Sequence, residues 1–140
     1  MDTDCSCLLY TSDAADDSLQ QRFLNLWAQI AVHFGHYDNV AFELLNEVVE
    51  KENAQAWNNL IRKTVTTIRQ ITNDTPVIYG GIQWNSVKTL KLLEVPMDSN
   101  TIFTFHFYEP LLFTHQKAHW VEAMDKNKTI VYPGQMQDYR

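Results

Sequence analysis

An apolar run, Val40-Ala-Phe-Glu-Leu-Leu, ends in an amide and a carboxylate, Asn46-Glu47. Two further stretches carry side chains able to act beside that carboxylate. One is His106-Phe-Tyr108, at the end of a β-branched and aromatic run from Thr101. The other is Trp84, which follows the apolar segment Pro76–Gly81. Alternation along a strand puts His106 and Tyr108 on one side of it. A carboxylate near an imidazole and a phenol hydroxyl can be tuned for proton transfer. A flat indole at the same level suits a cleft that stacks on the apolar faces of sugar rings. Taken one at a time, each reads as an ordinary core residue. Arrival at the ends of successive strands makes them a site.

The elements around these residues supply such ends. Leu19, Phe23, Leu26, Trp27, Ile30, Ala31 and Phe34 recur at helical spacing, with Asp17 or Ser18 as cap and Gly35 as stop. A strand follows from Val40. Asn53 caps a second helix with an inner face of Trp57, Leu60, Ile61, Thr64, Val65, Ile68 and Ile71, leaving Arg62, Lys63 and Arg69 to water. Pro76–Gly81 reads as a second strand. Its terminal Gly80-Gly81 marks a place where a side chain would block the approach of something else. Ser86 caps a short helix through Leu93 that Pro96 ends, and Thr101–Tyr108 is the third strand. A helical turn is expected around Trp120–Met124 and an extended segment or loop over Thr129–Gly134. The order is α-β-α-β-α-β, which predicts a parallel sheet with Asn46, Glu47, His106 and Tyr108 gathered at its carboxyl ends. Glu43 shares the parity of Leu45 and Glu47, so it is expected to point inward and to need a partner.

Composition narrows the partner. The chain has 140 residues, a formal charge of −6 and 11 scattered basic residues, which argues against nucleic acid. It has no apolar run of the length of a membrane span and no secretory signal at Met1-Asp-Thr-Asp-Cys5-Ser-Cys7. The C-x-C pair of Cys5 and Cys7 makes neither a zinc site nor a disulfide framework. His115 and His119 have i, i+4 spacing but lack the glutamate of H-E-x-x-H, so no metal is assigned, and nothing implies a cofactor. Residues 1–17, rich in aspartate and without a period, read as a disordered or foreign lead-in; residues 18–140 form the domain.

Phe42-Glu-Leu-Leu-Asn46-Glu47, Tyr79-Gly-Gly81 with Trp84-Asn85, and Phe105-His106-Phe-Tyr108-Glu-Pro-Leu-Leu-Phe-Thr-His-Gln116 resemble the middle of a glycoside hydrolase family 5 cellulase. The resemblance covers about Leu19 to Gly134. It implies an α/β fold, a partial (β/α)8 TIM barrel holding about strands 4 to 6. It also implies a retaining endoglucanase that cleaves β-1,4-glucan chains, whose partner is a β-linked polysaccharide or oligosaccharide. By that likeness Glu47 is the general acid/base, Asn46 holds the sugar 2-hydroxyl, His106 and Tyr108 shape the site, and Trp84 lines the cleft. Val48 departs from the proline that many members have there. The nucleophile, a glutamate ending strand 7 in the family, is expected to be absent from this chain, which alone should be inactive. Alternatives are a carbohydrate-binding half-barrel, a half-barrel completed by oligomerisation, or a barrel enzyme acting on mannan or xylan. The full-length protein is expected to be secreted. The sequence assigns no oligomeric state.

Overall fold

A computed structural model describes residues 17–49, 51–121, 125, 127, 129–135 and 137. The expected lead-in therefore lies outside the described residues, apart from Asp17, and so do Cys5 and Cys7. The chain forms two compact units, one ending at His106 and the other beginning at Phe107.

In the first unit, helix α1 (Asp17–Phe34) is followed by strand β1 (Phe42–Glu43), helix α2 (Ala54–Arg69), strand β2 (Val77–Gly80) and strand β3 (Thr101–Thr104). A 3-10 segment, Val87–Leu92, stands between β2 and β3 where a short helix is expected, with Ser86 as its cap. The strands form one parallel sheet in the order β1-β2-β3. Phe42 pairs with Val77, and Val77 through Gly80 pair in turn with Thr101 through Thr104. The core joins Phe23, Trp27 and Ala31 of α1 to Phe42, Leu44, Leu45 and Val48 around β1. Trp57, Leu60, Ile61, Val65 and Ile68 of α2 pack with them, as do Val77, Tyr79 and Ile82. The two helical stripes and the buried strands thus bury one another, as period-3.6 and continuous apolar patterns require.

Several expectations change. Asp17 lies inside the first turn of α1, where its charge favours the positive end of the helix dipole. Leu26 and Phe34 are exposed, so the apolar face of α1 is narrower than the spacing suggests. Asn53 occupies the N-cap position of α2 without a capping bond from its side chain. Gly35 does not adopt a left-handed conformation. It is required for space, because a Cβ there would stand 2.5 Å from the Ala31 carbonyl oxygen and 2.8 Å from Thr72 Cγ2. Glu43 is exposed and needs no buried partner. The alternation of β1 breaks at Leu44 and Leu45, both of which are buried.

Arg69 does not face water. Its Nε donates to Asp98 Oδ2 at 2.7 Å, Nη1 to the Thr75 carbonyl at 2.9 Å and Nη2 to the Asn100 carbonyl at 3.1 Å. One guanidinium thus ties the end of α2 to the segments entering β2 and β3. The Arg69 hydrogen bond, helped by the Asn100 amide and Thr101, holds the Asp98 carboxyl below its ordinary value against the opposing effect of burial. A carboxylate depressed on folding adds stability above its unfolded pKa of about 3.9, and that stability is lost as pH falls through the folded value. Arg69→Met should therefore lower the urea midpoint at pH 7, and the deficit should shrink as the buffer is taken below pH 4. An equal deficit at pH 7 and pH 3 would rule out the ion pair as its source.

The second unit holds a short helix, α3 (Leu111–Thr114). Gln116 and Ile130 exchange two hydrogen bonds at 3.0 Å, and Ala118 and Ile130 are buried. Thr129–Tyr132 is loop. The turn expected at Trp120–Met124 reaches residues 122–124, which lie outside the described residues.

Candidate functional site

The site is built at the carboxyl ends of β1 and β3, the outer strands of the described sheet. Past Glu43 the chain continues through Leu44, whose amide donates to the Ile78 carbonyl at 3.0 Å, and then leaves the sheet. Leu45 and Val48 are buried on either side of Asn46 and Glu47, which anchors the loop and leaves Asn46 exposed. Glu47 is held by its neighbours rather than by strand pairing. His106 likewise lies just past the last paired residue of β3, in an isolated parallel bridge with Ser86.

Glu47 Oε1 and His106 Nδ1 stand 2.6 Å apart, each side chain about one-fifth exposed. The two atoms are hydrogen-bonded, and which of them donates depends on the imidazole tautomer. The partial exposure leaves the carboxyl reachable from solvent.

Trp84 is 54% exposed, and its backbone amide donates to the Val48 carbonyl at 3.1 Å. Its loop is therefore bonded to the Glu47 loop directly, and the residue is largely exposed. On the other side, the His106 amide donates to the Asn85 carbonyl at 2.9 Å. Gly80 and Gly81 explain why β2 can end here. A Cβ at Gly80 would stand 2.5–2.7 Å from the amide group of Asn85, and one at Gly81 would collide with Thr89 Oγ1. The closely approaching groups anticipated at this Gly-Gly are Asn85 and Thr89.

Glu47 and His106 are thus brought into contact, with Trp84 bonded to their support and Asn46 exposed beside Glu47. Tyr108 belongs to the second unit. There its ring meets His115 edge-on at 5.0 Å, and its carbonyl accepts from Thr114 Oγ1 at 2.6 Å. The β3 ladder stops at Thr104, so strand alternation does not extend to Tyr108. His115 caps the end of α3, and the residues after it form turns, so the helical spacing that could pair His115 with His119 is lacking. Among the described residues no group of three or more His, Cys, Asp and Glu side chains could hold a metal. Sequence reasoning missed Asn85 as a structural member of the site. Gly80-Gly81 was the available signal, since two glycines at a strand end require a close neighbour.

A parallel α/β unit with a carboxylate–imidazole pair at its strand ends has these groups where (β/α)8 barrels carry their active sites. Residues 8–139 match the cellulase family, glycosyl hydrolase family 5, and the chain belongs to that family. It is 43% identical over 124 residues to endoglucanase C of Acetivibrio thermocellus, covering 87% of this chain and 36% of the relative. The chain therefore spans little more than a third of that relative's length. Among solved structures it resembles endoglucanase Cel5A of Thermotoga maritima in complex with mannotriose. The TM-score is 0.76 at 34% identity, over 92% of this chain and 42% of that one. The cellulose synthase subunit Z of Clostridioides difficile matches at TM-score 0.78 and 26% identity, over 93% and 44%. The fold is a partial (β/α)8 barrel, and β1, β2 and β3 correspond to about strands 4 to 6.

Proposed function

We propose that this chain is the acid/base half of a retaining endo-β-1,4-glucanase, with Glu47 as general acid/base and His106 as its proton-sharing partner. The 2.6 Å contact at the strand ends carries the reading. Asn46, exposed beside Glu47, would hold the sugar 2-hydroxyl. Trp84 would stack on a sugar ring. A retaining mechanism also needs a nucleophilic carboxylate about 5–5.5 Å from the acid/base. The part of the relatives' length that this chain does not match would supply it. The substrate is a β-linked glucan. The solved Cel5A structures are described in complex with cellobiose and with mannotriose, so mannan is the first competitor to test. A polymer of this kind is met outside the cell, and secretion of the whole protein follows from that.

The test is a chimera in which this chain replaces the matching 124-residue stretch of the Acetivibrio endoglucanase C. The chimera should release reducing ends from soluble β-1,4-glucan faster than from mannan, and the 140-residue chain alone should release none above background. A folded chimera without turnover on either polymer would overturn the assignment.

A further inference from the structure

We propose that Asn85 is a positioning residue. Its buried side chain, seated on Gly80, locks a left-handed turn whose backbone fixes both members of the Glu47–His106 pair. Gln83, Trp84 and Asn85 have φ of 52°, 57° and 52°. Three successive non-glycine residues in this region are unusual, and each is held there against a steric preference for other conformations. The strain is concentrated where the chain does two things at once. The Trp84 amide holds the Val48 carbonyl at 3.1 Å, next to Glu47, and the Asn85 carbonyl holds the His106 amide at 2.9 Å. An extended or right-handed path through these residues would turn that amide and that carbonyl away from their partners.

Asn85 has the properties of the lock. Asparagine tolerates the left-handed conformation better than most residues. Its side chain is only 1% exposed and fits against Gly80, where a Cβ would overlap the amide group. Its Nδ2 is buried without a hydrogen-bond partner. An unpaired buried donor is destabilising, so stability alone would favour an apolar residue here. Thr89 braces the turn from the far side, with Oγ1 donating to the Ile82 and Ser86 carbonyls. Two costs are thus accepted at a segment bonded to the supports of both Glu47 and His106. The inference deepens the acid/base reading and takes its functional meaning from it.

The test uses the 140-residue chain and does not depend on turnover. Asn85→Gly keeps the left-handed backbone accessible and removes only the wedge. Gly80→Ala presses on the wedge from the opposite side. In both, the imidazole nitrogen resonances of His106 and the carboxyl carbon of Glu47 should move toward those of His106→Ala and Glu47→Gln reference chains. Amide exchange at His106 should be at least tenfold faster, while the Leu60 and Ile68 amides of α2 keep their protection. Unchanged resonances and exchange in Asn85→Gly would overturn the proposal, even if Gly80→Ala moved them. So would acceleration of the α2 amides by the same factor, which would make the effect global. These readouts report geometry. Failure here leaves a Glu47→Gln defect in the chimera intact, and an active Glu47→Gln chimera would remove the acid/base role while leaving the turn's effect on the pair in place.

Discussion

Glu47→Gln in the active chimera is expected to lower kcat on β-1,4-glucan by roughly 10²–10⁴-fold, the usual contribution of a positioned acid/base. The amide is close in size and keeps contact with His106 Nδ1, so the loop between Leu45 and Val48 should hold its place. What it cannot do is give up a proton to the departing sugar oxygen. This predicts a pattern as well as a size. An aryl glycoside whose leaving group departs as a stable anion needs no proton, so its first step should be slowed far less than that of the polymer. Its second step, in which water must be deprotonated, should stay slow, and a burst of released aryl group should precede a slow steady state. KM for the polymer should change little, since in the proposed role Glu47 acts on the reacting bond rather than on remote sugars. Equal losses on polymer and activated substrate, with no burst, would remove Glu47 from the acid role.

Most of the architecture was legible because two periods alternate along this chain. The α2 face of Trp57, Leu60, Ile61, Thr64, Val65 and Ile68 is buried as its spacing predicts, whereas Ile71, past the end of the helix at Arg69, is exposed; the sheet is parallel in chain order. Residues outside regular structure were harder to read. Arg69 looked like a surface cation because its partners are two carbonyls and a carboxylate on loops that no local pattern connects to α2. Leu44 and Leu45 are both buried because the chain leaves the sheet there, and parity along β1 therefore misdirects Glu43. At the site, the residue types at the strand ends pointed to Glu47 and His106. The left-handed turn did not announce itself, because Gln-Trp-Asn is not a turn signature and its conformation is imposed by what surrounds it. Gly80-Gly81 was the one visible trace of that turn.

The second large effect is expected at Trp57, where the core and the site meet. Its indole is 1% exposed among the α2 and β2 residues, and its Nε1 donates to the Gly80 carbonyl at 2.9 Å. Gly80 is also the seat of Asn85, so one indole supports the backbone on which the site's turn rests. Trp57→Ala should cost about 3–5 kcal/mol through lost burial and an unfilled cavity. Against a total of about 5–15 kcal/mol for a domain, that is a large fraction of the stability. Trp57→Phe separates the two contributions. It keeps most of the apolar volume, and the lost hydrogen bond itself costs about 0.5–1.5 kcal/mol. Its urea midpoint should fall without a change in slope, since the same surface is exposed on unfolding. If the indole only fills space, His106 amide exchange in Trp57→Phe should follow global stability. If it also fixes Gly80, His106 should exchange faster than the α2 amides do. The second result is expected, because the Trp57 indole bonds the Gly80 carbonyl and Asn85 rests on that same residue.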